Sequence, residues 1–393
     1  MKLKINLTLA VLLSLTVLVK AQNVNVTKAL IPAEKQVNIL LEKSEVATAG
    51  ESKFMAPRTL ENGQLKSVIG RDWTSGFFSG MLWYLYDLTK DPKWLDPARK
   101  FTQKLAPQQY NTGTHDLGFI IYCSFGNGYR LTGDTSYRSV IIQAAKSLSK
   151  RFNPVAGVIR SWDHNADKWQ FPVIIDNMMN LELLFEATKL TGDSSFYKIA
   201  VSHANTTLKN HFRKDFSSYH VVDYNPETGA VKWRGTAQGL SNSSAWARGQ
   251  AWALYGYTMC YRETKDKTYL KQAENIAKFI LTNPTLPVDK VPFWDFNDPQ
   301  IPNAPKDASA AAIIASGLYE LSGYSKEGKN YRKTADQILN NLSEKYTSNA
   351  GANEGFILAH STGHKPAKSE IDVPIIYADY YYLEALSRSK RGK

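Results

Sequence analysis

One short turn recurs along this chain: LTKDPKWL at 88–95, LTGDTSYR at 131–138, LTGDSSFY at 190–197 and ETKDKTYL at 263–270, with a weaker copy, LSGYSKEGKNY, at 321–331. Each copy places Gly or Lys where a helix stops, then Asp or Ser to cap the next one, then an aromatic. Such a turn joins two helices back to back, so its recurrence commits most of the chain to helical hairpins. After each turn comes an amphipathic segment, such as SVIIQAAKSL or KQAENIAKFIL, with one solvated face. Before each turn lies a segment apolar nearly all round, such as TSGFFSGMLWYLYDL or ARGQAWALYGYTMCY, and a helix of that kind is buried. Six buried segments, ending with IIYADYYYLEALSRS, alternate with about six amphipathic ones, beginning with PAEKQVNILLEKSE. The pattern predicts an all-α (α/α)6 barrel, six inner helices ringed by six outer ones, in a single domain. An open helical solenoid is the alternative.

The first residues, MKLKINLTLAVLLSLTVLVKAQ, read as a secretory leader, with Lys2 and Lys4 before an apolar run and Val19-Lys20-Ala21 as the cleavage site. The run is too short for a membrane anchor. The expected organisation is a signal peptide at 1–21 and a catalytic domain at 22–393, exported to the periplasm and free of the membrane after cleavage. The formal charge is +12, and without Lys2, Lys4 and Lys20 the chain keeps 45 basic and 36 acidic residues, a net +9. The basic residues are dispersed apart from RSKRGK, and no nucleic-acid motif is present. Nucleic acid is therefore not an expected partner, whereas an acidic substrate is compatible with the charge. The seven histidines show no metal spacing: His360 and His364 are separated by Ser-Thr-Gly and followed by Pro366. Neither a metal nor a cofactor is expected. Cys123 and Cys260 both lie in apolar stretches and read as two buried thiols, with a bridge as the alternative.

In such a ring the inner helices run the same way, so their starts gather at one mouth. There the sequence places Arg71-Asp72, His115-Asp116, Asp176, Arg248, Asp307 and Asp379, between long connections carrying Trp, His and Asp. The other face has only tight turns, so the mouth is the expected cleft. Asp176, in FPVIIDNMMNLELLF, is an acid in an apolar neighbourhood. Desolvation would raise its pKa and suit it to act as general acid and then base, whereas a capping role would lower the pKa. Asp116 poses the same choice, with His115 beside it. Arg248 shares a helix face with Trp252. The pair suits a substrate carboxylate beside a sugar-stacking ring, or loop carbonyls beside a core ring. Trp73 and Trp162 carry the same two readings.

The blocks DWTSGFFSGMLWYLYDLT, THDLGFIIYCSFGNGYRLTGD, IIDNMMNLELLFEATKLTGD, SSAWARGQAWALYGY and PFWDFNDPQIPNAPKDASAAAI stand in this order. With them the chain resembles the unsaturated glucuronyl hydrolases, glycoside hydrolase family 88, over essentially its whole mature length. The resemblance implies an (α/α)6 barrel that removes a non-reducing 4,5-unsaturated uronic acid from lyase-generated oligosaccharides of chondroitin, hyaluronan or heparin type. It implies hydration of the enol ether: a proton goes to C4, charge develops across C5 and the ring oxygen, water adds at C5, and the hemiketal opens to release the neighbouring sugar. One carboxyl group serves as acid and then base, so the usual rule on carboxylate separation does not apply. Carried over by position, Asp176 is the acid/base and Asp116 the second essential aspartate, preceded by His115. Trp73, Trp162 and Trp252 resemble sugar-facing aromatics, and His220, Gln238 and Arg248 resemble polar ligands, Arg248 for the substrate carboxylate or the hydrated centre. The loop HSTGHKPAKSEID offers Lys365, Lys368 and Ser369 to a second sugar, sulfated or not, or simply a solvated surface. An unsaturated rhamnogalacturonyl hydrolase acting on pectin fragments and a non-catalytic glycan-binding protein are the alternatives. A sugar epimerase would need paired inner-helix histidines, where only His115 stands.

Overall fold

Twelve helices alternate between an outer and an inner ring among the residues that the computed structural model describes, 24–49 and 54–391. The expected leader and its cleavage point lie outside the described residues. The outer helices are α1 (Val26–Ala49), α3 (Leu95–Gln103), α5 (Ser136–Ser149), α7 (Ser194–Asn210), α9 (Lys267–Thr282) and α11 (Gly328–Asn341). The inner ones are α2 (Ser75–Thr89), α4 (118–132), α6 (Leu181–Thr191), α8 (Ala247–Thr264), α10 (Ala308–Ser322) and α12 (Ile376–Arg391). The ring closes rather than running on as a solenoid, because α12 packs against α2. Tyr380 meets Phe77 and Tyr84 edge-on, each at 5.2 Å between ring centroids.

One buried carboxylate ties four inner helices together. Glu384 of α12 accepts from Tyr84 of α2 at 2.7 Å, Tyr255 of α8 at 3.0 Å and Ser316 of α10 at 2.6 Å. Arg262 of α8 adds ion pairs to Glu182 of α6 and Glu320 of α10, and Arg388 of α12 shares Glu320. Of these groups Tyr84, Glu182, Tyr255, Arg262, Glu384 and Arg388 line a cavity of about 250 Å³ toward the C-terminal ends of the inner helices. Its charges are matched against one another, which makes it a structural core. Cys123 and Cys260 are free and buried.

The recurring turns behave as their chemistry dictates. Lys90, Gly133, Gly192 and Lys265 are left-handed at φ 59°, 67°, 75° and 59°. Asp91, Asp134, Asp193 and Asp266 then accept from the backbone N–H two residues on. The weaker fifth copy departs, with Gly323 at φ −77° and Ser325 accepting from the Glu327 amide.

At the opposite end the long connections carry short antiparallel pairings. These are β1 (Met55–Glu61) with β2 (Gln64–Ile69), and β3 (Phe152–Asn153) with β4 (Val158–Ile159). β5 (Pro172–Ile174), β6 (Val221–Tyr224) and β7 (Val231–Gly235) form a sheet, and β8 (Ser361–His364) pairs with β9 (Ser369–Val373). In the sheet Ile174 faces Val221, which faces Gly235, so the chain leaves β5 toward Asp176 with its backbone bonded on one edge.

The inner helix that follows His115-Asp116 is unusual: Gly118–Gly126 is π-helical and only Asn127–Thr132 is α. π-turns inside helices concentrate at functional sites. Its neighbour α2 approaches very closely, since a Cβ on Gly76 would lie 2.2 Å from the Phe119 carbonyl oxygen and 2.4 Å from that of Ile120. Gly76 therefore sets the spacing that seats Asp116. Gly76→Ala is expected to lower stability by about 2–3 kcal/mol through backbone displacement. An unchanged urea midpoint would show that the two helices separate freely.

Candidate active site

The acids at the inner-helix starts separate into two groups. Asp72 accepts from the Thr74 amide at 2.9 Å and pairs with Arg58 at 2.8 Å. Asp307 caps α10 through the amides of Ser309 and Ala310, and Asp379 accepts from the amides of Ile357 and Leu358, both at 2.8 Å. These three hold backbone in place. Asp116 and Asp176 cap nothing, and both line a cavity of about 580 Å³ at the mouth.

Asp176 follows β5 on a 3-10 turn, Ile175–Asn180, and is 8% exposed. Burial raises its pKa to about 6, against the pull of His115 and Arg248 and with a further push from Asp116. Its Oδ2 has no hydrogen-bond partner. The nearest imidazole is His220, whose Nε2 lies 3.6 Å away. His220 Nδ1 accepts from two backbone amides, Ala237 at 3.0 Å and Gln238 at 3.1 Å. That fixes the tautomer: the proton sits on Nε2, facing the carboxyl. Burial, then Arg248, keeps His220 well below the usual imidazole range, so it faces Asp176 as a neutral donor.

His115 is 2% exposed, and its Nε2 lies 3.1 Å from Asp116 Oδ1. Thr114 donates to Asp116 Oδ2 at 2.6 Å. Burial pushes the Asp116 carboxyl up, but His115, Thr114 and Arg151 together hold it below the ordinary aspartate value. Two carboxyl groups in one cavity are thus driven apart in acidity, one toward keeping its proton and one toward losing it.

Trp73, Trp162 and Gln238 also line the cavity. Trp73 is supported from below by Tyr377, 5.0 Å between ring centroids, and Trp162 stacks on His164 at 5.2 Å. Two expected ligands stand behind the cavity lining. Arg248 is 1% exposed, with its guanidinium donating to the carbonyls of Thr362 and Gly363, both at 2.6 Å, and to Asp307 at 3.2 Å. It clamps β8, and its charge still acts on Asp176 and His220. Trp252 is fully buried against Phe119 and Tyr381, one layer under the cavity floor. Both lie on the helix face expected, but that face packs into the core.

Sequence reading passed over His164, Lys168, Trp169 and His364, which also line the cavity. The density of Trp, His and Lys in WDHNADKW was the available signal for the first three. His364 is brought in by β8, where its Nε2 lies 3.1 Å from the Ala237 carbonyl.

A model of Glycosyl Hydrolase Family 88 matches residues 51–390. The unsaturated glucuronyl hydrolase of Formosa agariphila is 51% identical over 343 residues, 87% of this chain and 86% of that protein. An unsaturated glucuronyl hydrolase specific for heparin has a crystal structure that superposes with a TM-score of 0.88 at 48% identity, covering 93% of this chain and 97% of that one. A variant of the Streptococcus agalactiae unsaturated glucuronyl hydrolase complexed with dGlcA-GalNAc6S superposes with a TM-score of 0.79 at 29% identity, covering 94% and 92%.

The raised pKa of Asp176 has a stability consequence. The folded chain holds this proton more tightly than the unfolded chain, whose Asp titrates near 3.9, so stability declines as pH rises from about 4 to about 6 and stays lower above. Asp176→Asn removes that cost and is expected to stabilise the protein by about 2–3 kcal/mol at pH 7.5, with no gain at pH 3.5. Urea denaturation at the two pH values measures it; a destabilised variant at pH 7.5 would contradict the desolvated setting.

Proposed function

The chain belongs to glycoside hydrolase family 88, and we propose that Asp176 carries its reaction as acid and then base. The enzyme removes the non-reducing 4,5-unsaturated uronic acid from lyase-generated glycosaminoglycan oligosaccharides. The observation that carries the residue assignment is the state of Asp176: desolvated, uncapped, facing the cavity, with a pKa raised to about 6. A non-catalytic glycan-binding protein has no use for a carboxyl kept near its protonated form.

In the proposed sequence Asp176 gives its proton to C4 of the double bond. The positive charge at C5 and the ring oxygen is met by water, which the Asp176 carboxylate then deprotonates. The hemiketal formed at C5 opens and the leaving sugar departs. His220 Nε2–H steadies the carboxylate in the interval between losing one proton and taking the next, because a neutral donor favours the charged form without supplying a competing acid. Asp116, held ionised, receives sugar hydroxyls together with His115 and Gln238, while Trp73 and Trp162 offer ring faces to the apolar side of the sugar.

A basic start, an apolar run and the small-residue site before Gln22 favour export to the periplasm. N-terminal sequencing of the protein recovered from the periplasm is expected to begin at Gln22, and recovery of the intact start from the cytoplasm would contradict export.

Incubation with unsaturated glycosaminoglycan disaccharides is expected to erase the near-ultraviolet absorbance of the conjugated double bond, with Asp176→Asn reducing the rate by at least about 1,000-fold. Because the protonated acid is the reactive form, kcat/KM should fall about tenfold per pH unit above a value near 6. Absorbance that persists with every unsaturated uronide would sink the function, and a profile flat from pH 5 to 8 would sink the role of Asp176.

A further inference from the structure

We infer that Lys168 selects substrates by an anionic substituent, a sulfate ester or N-sulfate, on the leaving sugar. The inference rests on the function proposed above and concerns the outer half of the same cavity. The substrate class is anionic, yet the catalytic floor carries two carboxyl groups, Asp116 and Asp176. Among the cavity's lining residues Lys168 is the single lysine or arginine. Arg248, the cation expected from the sequence, is spent on the carbonyls of β8 and on Asp307. His220 is held neutral. Lys365 is paired with Asp298 at 2.8 Å over the Trp294 ring, and neither it nor Lys368 lines the cavity.

The position of Lys168 decides which part of the substrate it meets. Asp176, His115 and His220 are buried at 8%, 2% and 4% exposure, whereas Lys168 stands exposed at the rim. Protonation at Asp176 requires the unsaturated ring on the floor, so the sugar bonded to it points outward, past Lys168.

The loop that carries Lys168 is built rather than loose. Its base is fixed by Asp163, which takes two hydrogen bonds from Arg151 at 2.9 and 3.0 Å. Its tip is closed by the amides of Lys168 and Trp169, both donating to the Asn165 carbonyl at 3.0 Å. The Lys168 ammonium rests 4.4 Å from the centre of the Trp169 ring and has no ion-pair partner among the described residues. An unpaired ammonium held at the rim beside the cavity-lining Trp162 and Trp169 fits a sugar that brings an anion of its own.

The test compares unsaturated disaccharides that differ only in the leaving sugar: unsulfated, N-sulfated and O-sulfated. KM and kcat are measured for the wild type, Lys168→Gln and Lys168→Arg. The wild type is expected to prefer at least one sulfated form by roughly fivefold in KM, the scale of a single rim contact. Lys168→Gln should erase that preference, Lys168→Arg should retain most of it, and added salt should weaken it in the wild type. The arm in which the preference appears identifies the sulfate. A preference that survives in Lys168→Gln overturns the proposal, as does a wild type without preference. An equal loss on sulfated and unsulfated disaccharides also overturns it, by assigning Lys168 to the uronate or to the loop. In those outcomes the unsulfated disaccharide is still consumed by the wild type, so the proposed function stands. Failure to consume any disaccharide overturns that function and this inference with it.

Discussion

A carboxyl group that keeps its proton near neutral pH has to be withheld from water and also from the backbone amides that would welcome its charge. The start of a buried helix supplies the first condition and works against the second, because its free N–H groups attract carboxylates. Asp176 largely escapes by position, its own amide being a backbone group that still pulls on the carboxyl. It sits on a 3-10 turn delivered by β5, one turn before α6 begins, where its side chain caps nothing and Oδ2 is left without a partner. Burial outweighs the pull of His115 and Arg248 on its carboxyl, and two nearby groups do not add to that pull. His220 is locked as a neutral Nε2–H donor, and Asp116 is kept ionised by its own partners.

The remaining architecture holds that arrangement still. Glu384 and Arg262 draw the inner helices together at the closed end, far from the chemistry, so the mouth is left to the loops. Arg248 is the hinge between the two halves: from α8 it grips the carbonyls of β8 and touches the side chain of Gln238, whose amide helps fix His220. It thus braces the loop that positions His220, and its charge pulls on the carboxyl of Asp176. The tight approach of α2 to the π-helical start of α4 does similar duty for Asp116.

Much of this was legible in the sequence because it follows from periodicity. The repeated turn gave the alternation of inner and outer helices, and the gathering of their starts pointed to Asp116, Asp176 and His115 at one mouth. The rest depends on depth, which spacing does not encode. Arg248 and Trp252 do share a face, but the ring turns that face into the core, so each became a support. The mouth strands span two to seven residues, several of them too short for an alternating pattern to declare itself. Lys168 and His364 reach the cavity by loop and hairpin geometry, for which no periodic signal exists.

In the proposed reaction one buried acid delivers a proton to a carbon of the double bond, not to the glycosidic oxygen. Turnover of an unsaturated disaccharide in deuterated water, followed by nuclear magnetic resonance, tests this directly. One deuterium is expected at C4 of the released uronic acid and none on the carbons of the leaving sugar. A product that keeps its C4=C5 double bond and carries no deuterium at C4 would contradict it.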